Sequence, residues 1–282
     1  MTSDLRELAA NIELRQDGIW TSKTLSAVSY PEHGNETYFA VEESSFWFRH
    51  RNNCIRAVVK ALPPGGLLLD VGGGNGYVAR CLQDAGVDVA LVEPGPGGAR
   101  NARRRGVQHV IQAALEDVKF QPGSVAGVGL FDVVEHIEND VDFLQSVRRL
   151  LRPGGRVYLS VPAYQWLWSH EDVAAGHWRR YTLSGICSVF QQAGYEVDFA
   201  TYFFGFLPLP ILLARVAPYR LGLSKSEVKE TVQSDHNPGG PMARKIIDTL
   251  TSRELEKIAS LRRVRLGGSC LVVARSGILY VN

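Results

Sequence analysis

Cysteine is scarce in this chain, and the four that occur, Cys54, Cys81, Cys187 and Cys270, are scattered. No C-x-x-C pair is present, so neither a zinc ribbon nor a disulfide framework is indicated, and the four read as reduced thiols in a cytoplasmic protein. Excess charge is missing as well. Lys and Arg number 31 against 29 Asp and Glu, a net of +2, and such a balance gives no field for general nucleic-acid binding. The first eight residues, Met1-Thr-Ser-Asp-Leu-Arg-Glu-Leu8, lack the basic and apolar regions of a signal peptide. The apolar run Phe203–Leu213 carries two prolines and is too short to span a bilayer. There is no tandem repeat, no low-complexity tract and no N/D-P-P-Y motif. A hydrophobic fraction of 45% and a charged fraction of 21% are those of an ordinary globular protein.

The informative segment is Leu67-Leu68-Leu69-Asp70-Val71-Gly72-Gly73-Gly74-Asn75-Gly76-Tyr77. An apolar run closed by an acid and then by alternating glycines reads as a buried strand turning sharply into a helix. Such a loop lets a ligand approach without meeting a Cβ. The dinucleotide pattern G-x-G-x-x-G needs glycine where Tyr77 stands, and no Walker lysine follows, so neither a dinucleotide loop nor a P-loop is indicated. A second apolar strand ends at Glu93-Pro94, where the acid is placed to accept hydrogen bonds from a ribose diol. Asp70 would repel a pyrophosphate and welcome an ammonium group. A nucleoside with a cationic, amino-acid-like tail fits both acids, and S-adenosylmethionine is such a molecule.

Asp70-Val-Gly-Gly-Gly-Asn-Gly76 resembles the first motif of class I S-adenosylmethionine-dependent methyltransferases, in particular a small-molecule subset of them. Glu93 resembles that family's ribose-binding acid, and Ala114-Leu115-Glu116-Asp117 falls where its adenine-contacting segment lies. Leu130-Phe131-Asp132-Val133-Val134-Glu135-His136 resembles its fourth-strand motif, and Leu150-Leu151-Arg152-Pro153-Gly154-Gly155 its turn before strand five. The resemblance runs over roughly residues 46–203, with the last strand near 268–275. It departs at Ala114 and Ala126, where relatives carry acids, so adenine is expected to be held by backbone and apolar contacts. The resemblance implies that Gly72, Gly74, Gly76, Tyr77, Glu93, Pro94, Ala114, Leu115, Glu116, Phe131 and Asp132 line the cofactor together with Asp70.

The fold expected is α/β, a doubly wound, Rossmann-like sheet of seven mostly parallel strands with an antiparallel last strand. Strands are placed near 67–72, 88–93, 108–112, 127–132, 155–161, 195–203 and 268–275. Helices are placed near 75–85, 95–105, 139–151 and 182–193. The organisation is an N-terminal arm and lid helix over 1–62, a cofactor-binding core over 63–203, a helical cap over 204–266, and the last strand and tail over 267–282. Turn signals at Gln16-Asp17-Gly18 and His33-Gly34-Asn35 suit an arm or small hairpin. The run from Phe203 reads first as a buried cap helix, then as a substrate wall, and least as a membrane-surface contact. Leu250–Leu261 reads as an amphipathic helix after a loop at Ser234–Pro241.

Three histidines are candidate bases. His136 follows strand four and is the best-placed of them, although Glu135-His136 in such a motif reads first as capping and orienting the next helix. His170 and His177 lie in Val161–Thr182, which resembles the V-P…H…R-x-Y loop of a bacterial subset of these enzymes. Trp47, Tyr164, Trp168, Arg179, Arg180 and Tyr181 are candidates for stacking on or gripping an acceptor, against the alternative that they pack the loop. Arg51 is a candidate partner for the cofactor carboxylate. His170 and His177 beside Glu171 and Asp172 match no ligand signature, so no metal is expected. The activity expected is methyl transfer to a small or medium-sized acceptor, oxygen before nitrogen before carbon. A nicotinamide-dependent oxidoreductase and a non-catalytic module keeping the cofactor fold are the alternatives. The partner expected is a small-molecule acceptor, not nucleic acid; the oligomeric state is open.

Overall fold

A computed structural model describes residues 5–24, 39–222 and 240–277. The turn expected at residues 33–35 and most of the loop expected at 234–241 lie outside them. A helical turn, α1 (Leu5–Leu8), leads into an antiparallel hairpin of β1 (Ile12–Leu14) and β2 (Trp20–Ser22). Asp17 and Gly18 make its turn, with the Ile19 amide donating to Asp17 Oδ1 at 3.2 Å. Helix α2 (Phe46–Ala61) is capped by the Ser45 hydroxyl, which accepts from the amides of Trp47 and Phe48.

Strand and helix then alternate: β3 (Leu68–Val71), α3 (Tyr77–Asp84), β4 (Val89–Val92), α4 (Pro96–Arg104), β5 (His109–Gln112), β6 (Val125–Phe131), α5 (Asp140–Leu150) and β7 (Leu151–Pro162). A short helix α6 (His170–Ala175), helix α7 (Leu183–Gln192) and β8 (Tyr195–Phe203) follow. Helices α8 (Pro208–Ile211) and α9 (Ala217–Arg220) are joined by a π-turn over Leu212–Val216, and α10 (Gly240–Ala259) precedes β9 (Ser269–Ser276).

The sheet has nine strands in the order β1-β2-β5-β4-β3-β6-β7-β9-β8. Strands β2 to β7 run parallel along it, and β9 lies antiparallel between β7 and β8. The strand count of seven is corrected to nine. The N-terminal hairpin does not stay a free arm: Trp20 and Thr21 pair with Ile111 and Gln112 and extend the sheet edge. The helix expected at 250–261 likewise begins earlier, at Gly240.

Both faces of the sheet are covered, so its strands read as continuous apolar runs. Leu69, Val71, Val92, Leu130 and Leu159 pack with Val147, Ile186 and Phe190 on one face. Leu68, Leu91, Phe131 and Val273 pack with Ile55, Val58, Leu82, Ala102 and Ile258 on the other. Strand order reverses between β3 and β6, and this switch point is where an open α/β sheet binds ligands.

Candidate active site

The loop after β3 is shaped by glycine for two different reasons. Gly76 has φ +73°, and a Cβ there would lie 2.7 Å from Cβ of Ala102, so it allows α3 to pack on α4. Gly74 has φ +53°, and a Cβ there would meet nothing within 4 Å. The space beside it is open, as a ligand cradle requires.

Asp70 is the penultimate residue of β3 and is 1% exposed. Neither of its oxygens has a hydrogen-bond partner of good geometry. Burial pushes its carboxyl up from 3.8 to about 7; the Arg51 guanidinium works against that, Glu93 adds to it, and the Ala79 amide gives the weakest downward pull. Glu93, 5% exposed, accepts from the Gly74 amide at 2.8 Å and the Gly95 amide at 2.7 Å. Burial raises its carboxyl and these two bonds moderate the rise.

Asp132 follows β6 at φ +59°, a costly conformation for a non-glycine residue. The fold holds it there. Its amide donates to Ser160 O at 2.9 Å, the Ser160 hydroxyl donates to Oδ1 at 3.0 Å, and Arg51 pairs with Oδ2 at 2.6 Å. Arg51 is 7% exposed, lies over the Trp47 ring at 5.7 Å and keeps its Nε without a partner. It is expected to grip the cofactor carboxylate, and its present partner is Asp132. Burial, then Asp132, lifts the carboxyl of Glu135 well above its usual range.

The other residues expected at the cofactor are spread along the same strand ends. Ala114 precedes a 3-10 turn over Leu115–Asp117 in which Leu115 is half-buried and Glu116 exposed. Pro94 is half-buried after Glu93. The Tyr77 ring meets Phe48 edge-on at 6.4 Å and lies under the Arg105 guanidinium at 5.1 Å. The Phe131 ring packs in the core, in the space left by Gly129, where a Cβ would come within 2.5 Å of it.

At the mouth, Asp172 is the hub of the Pro162–Tyr181 loop. It is 1% exposed, accepts from His177 Nδ1 at 2.9 Å, Arg180 Nε at 2.7 Å and the Ser169 amide at 2.9 Å. Burial raises its carboxyl, but the bonds from His177, Arg180 and Ser169 outweigh that and hold it below the usual value. The rings of His177 and His136 meet edge to face at 4.8 Å. Burial and the neighbouring His177 lower the pKa of His136. Glu135, His136 and His177 each bring one ligand-type atom within 4.8 Å of the others, with His177 Nδ1 already engaged by Asp172. His170 is exposed in the first turn of α6 and stands apart from this pair.

Arg179 donates to Asp140 Oδ2 at 2.9 Å and to Glu138 O at 2.6 Å, and the Tyr181 hydroxyl donates to the same Asp140 oxygen at 2.9 Å. These side chains, with Arg180, brace the loop. Tyr164, at φ +60°, stacks on Tyr202 at 4.9 Å and on Trp166 at 5.3 Å, and Trp168 is half-buried. Trp47 stacks on Phe204 at 5.4 Å.

Asp140, Glu42 and Arg105 carry no sequence signal, and nothing in the sequence marks Asp172 as the partner of Arg180 or Asn75 as the partner of Arg105. Arg105 donates to both Glu42 Oε2 and Asn75 O at 2.7 Å, bracing the glycine loop from 30 residues away.

A family model described as a methyltransferase domain matches residues 47–199. The chain is 29% identical over 103 residues to the ubiquinone biosynthesis O-methyltransferase of Xanthomonas campestris pv. campestris (strain B100), covering 34% of this chain and 43% of that protein. It is 29% identical over 120 residues to the Xylella fastidiosa (strain 9a5c) protein of the same name, covering 39% and 49%. The chain therefore spans less than half the length of these curated relatives. In fold it resembles phosphoethanolamine N-methyltransferase 2 of Haemonchus contortus, solved in complex with S-adenosyl-L-methionine (TM-score 0.55, 18% identity, 91% of this chain and 61% of that one). It also resembles a chain solved in the complex of the Haloferax volcanii Trm112 methyltransferase activator with a methyltransferase (TM-score 0.56, 17% identity, 89% and 99%).

Proposed function

This chain belongs to the methyltransferase-domain family, whose model covers residues 47–199 of its 282, and from that premise we propose that it uses S-adenosylmethionine to methylate a small or medium-sized acceptor. Asp70 carries the reading. A carboxylate buried to 1%, without a good partner and lying against the glycine loop, where a Cβ on Gly73 would come within 2.8 Å of its Oδ2, fits the ammonium end of an amino-acid tail. S-adenosylmethionine supplies, when bound, a sulfonium methyl that an aligned nucleophile can accept.

The residues then divide the work. Glu93 retains lone pairs beyond its two amide bonds and can accept from a ribose diol. Leu115 and the backbone at Ala114 and Glu116 offer the adenine an apolar edge. Arg51, through its unpartnered Nε, reaches for the tail carboxylate while Asp132 holds its other end. His136, with its lowered pKa, is neutral at pH 7 and can take the acceptor's proton. His177 is held by Asp172 against the His136 ring and positions it. Alignment of nucleophile and methyl can supply much of the acceleration in such a displacement.

Oxygen is the preferred acceptor atom, since the curated relatives are O-methyltransferases. The test is calorimetric titration with S-adenosylhomocysteine, with NADH as control, followed by transfer of a labelled methyl to a panel of hydroxyl and amine acceptors. Micromolar binding of S-adenosylhomocysteine alone supports the reading. Binding of NADH alone overturns it, and tight binding without turnover of any acceptor favours a non-catalytic module.

A further inference from the structure

The excursion between β8 and β9 rises from the same edge of the sheet as the candidate active site. Pro162, at the end of β7, pairs with Ser269, and Ser269 pairs with Phe203, at the end of β8. Strand β7 runs parallel to β6 and β3, so its end lies on the edge where Asp70 and Asp132 sit. The excursion is thus part of the rim of the mouth.

That rim is apolar where it faces solvent. Leu209 and Leu213, one turn apart on the α8–α9 segment, are each 63% exposed, and Leu221 is 71% exposed. The burial expected for the run from Phe203 to Leu213 does not hold at Leu209 and Leu213. The patch is continuous with the mouth loop. Arg220 donates to Trp166 O at 3.1 Å, Arg215 pairs with Glu171, and the Trp166 ring is 41% exposed. The first half of α10 repeats the combination, with Met242 at 79% and Ile246 at 54% exposed beside the exposed Arg244 and Lys245. On the α8–α9 segment and the first half of α10, Arg215, Arg220, Arg244 and Lys245 stand against Asp248 alone, although the whole chain is nearly neutral. No helix among the described residues is long and apolar enough to cross a membrane.

Exposed leucines, a tryptophan at the boundary and a local excess of basic groups are what an element lying in a bilayer interface presents. The excess charge selects an anionic surface. We propose that the rim formed by α8, α9 and the first half of α10 docks on an anionic lipid bilayer and sets the mouth of the site against it. The docking stands on the surface alone; its consequence, that the acceptor carries a lipid tail and arrives from the membrane, rests on the methyl-transfer reading.

The whole chain is sedimented with phosphatidylcholine vesicles, with and without phosphatidylglycerol. It is expected to bind the phosphatidylglycerol vesicles and to be released by salt. Joint replacement Leu209→Glu and Leu213→Glu is expected to weaken binding about tenfold or more, with S-adenosylhomocysteine affinity unchanged. Should that variant fail to fold, Arg244→Glu with Lys245→Glu, on an exposed helix face, is expected to weaken binding at least about fivefold per charge removed. Absence of binding to either vesicle, equal binding to both, unchanged binding by the folded variants, or self-association of the chain through this patch in place of lipid binding would each overturn the proposal. The S-adenosylhomocysteine titration reads the methyl-transfer reading separately, so the two can fail independently.

Discussion

Glu93 Oε2 accepts the amide hydrogen of Gly74 at 2.8 Å, so the acid that closes one strand fixes the glycine loop that closes its neighbour. The second oxygen does the same for Gly95, at the start of α4. One carboxylate therefore sets the shape of the loop and keeps lone pairs beyond these two bonds.

Removing it acts on both. Glu93→Ala should weaken S-adenosylhomocysteine binding by about a hundredfold, the worth of one or two hydrogen bonds to a charged group. Titration calorimetry reads this directly, and unchanged affinity would sink the ribose assignment.

Asp70 makes the stability of the ligand-free chain depend on pH. Its folded pKa of about 7 lies above the ordinary 3.8. The stability it allows is complete below about pH 4 and is lost as pH rises through about 7, by about 4 kcal/mol at most. Asp70→Asn should flatten that fall in melting temperature while costing cofactor affinity. In the parent chain, binding of a cationic tail at neutral pH should release a proton, measurable as a dependence of the binding heat on buffer ionisation enthalpy.

His136→Ala should lower turnover by about a hundredfold or more, as expected for loss of a general base, and leave cofactor affinity close to that of the parent. Because its pKa is lowered from 6.5, the acid limb of the pH–rate profile should fall below that value. A variant that loses folding stability and turnover together would mark His136 as a structural cap.

Asp172→Asn should destabilise the mouth loop by about 3 kcal/mol, because it leaves the 8%-exposed Arg180 side chain without its carboxylate. It also replaces the anionic acceptor of His177 Nδ1 with a neutral amide. Thermal melts should register the loss. In turnover assays the variant should show a shifted pH profile, which a purely structural brace would not produce.

Much of the molecule was legible in the residues. The apolar run into Gly72–Gly76, the later strand ends at Glu93 and Asp132, and the boundaries of β8 and α7 all follow from periodicity and turn chemistry over ten or so residues. The N-terminal hairpin was legible as a hairpin but not as a sheet edge. Trp20 pairs with Ile111, and a short strand carries no sign of a partner 91 residues away. Glu254 gave no signal at all, yet its carboxylate meets His50 at 2.7 Å and the Phe204 amide at 2.6 Å, tying α10 to α2 and to the end of β8.

What the sequence by itself determined is the kind of protein: alternating strands and helices, a glycine loop too irregular for a dinucleotide, and an acid at the end of each of two strands. Those features are local, and local sterics and patterning suffice to read them. The tertiary structure decided which side chains remain available. It occupied Arg179, Arg180 and Tyr181 with Asp140 and Asp172, left Asp70 buried without a good partner, set His177 against His136, and turned Leu209 and Leu213 to solvent. Whether a polar group is satisfied or an apolar one covered depends on contacts between distant segments, and these exist only once the chain has closed on itself.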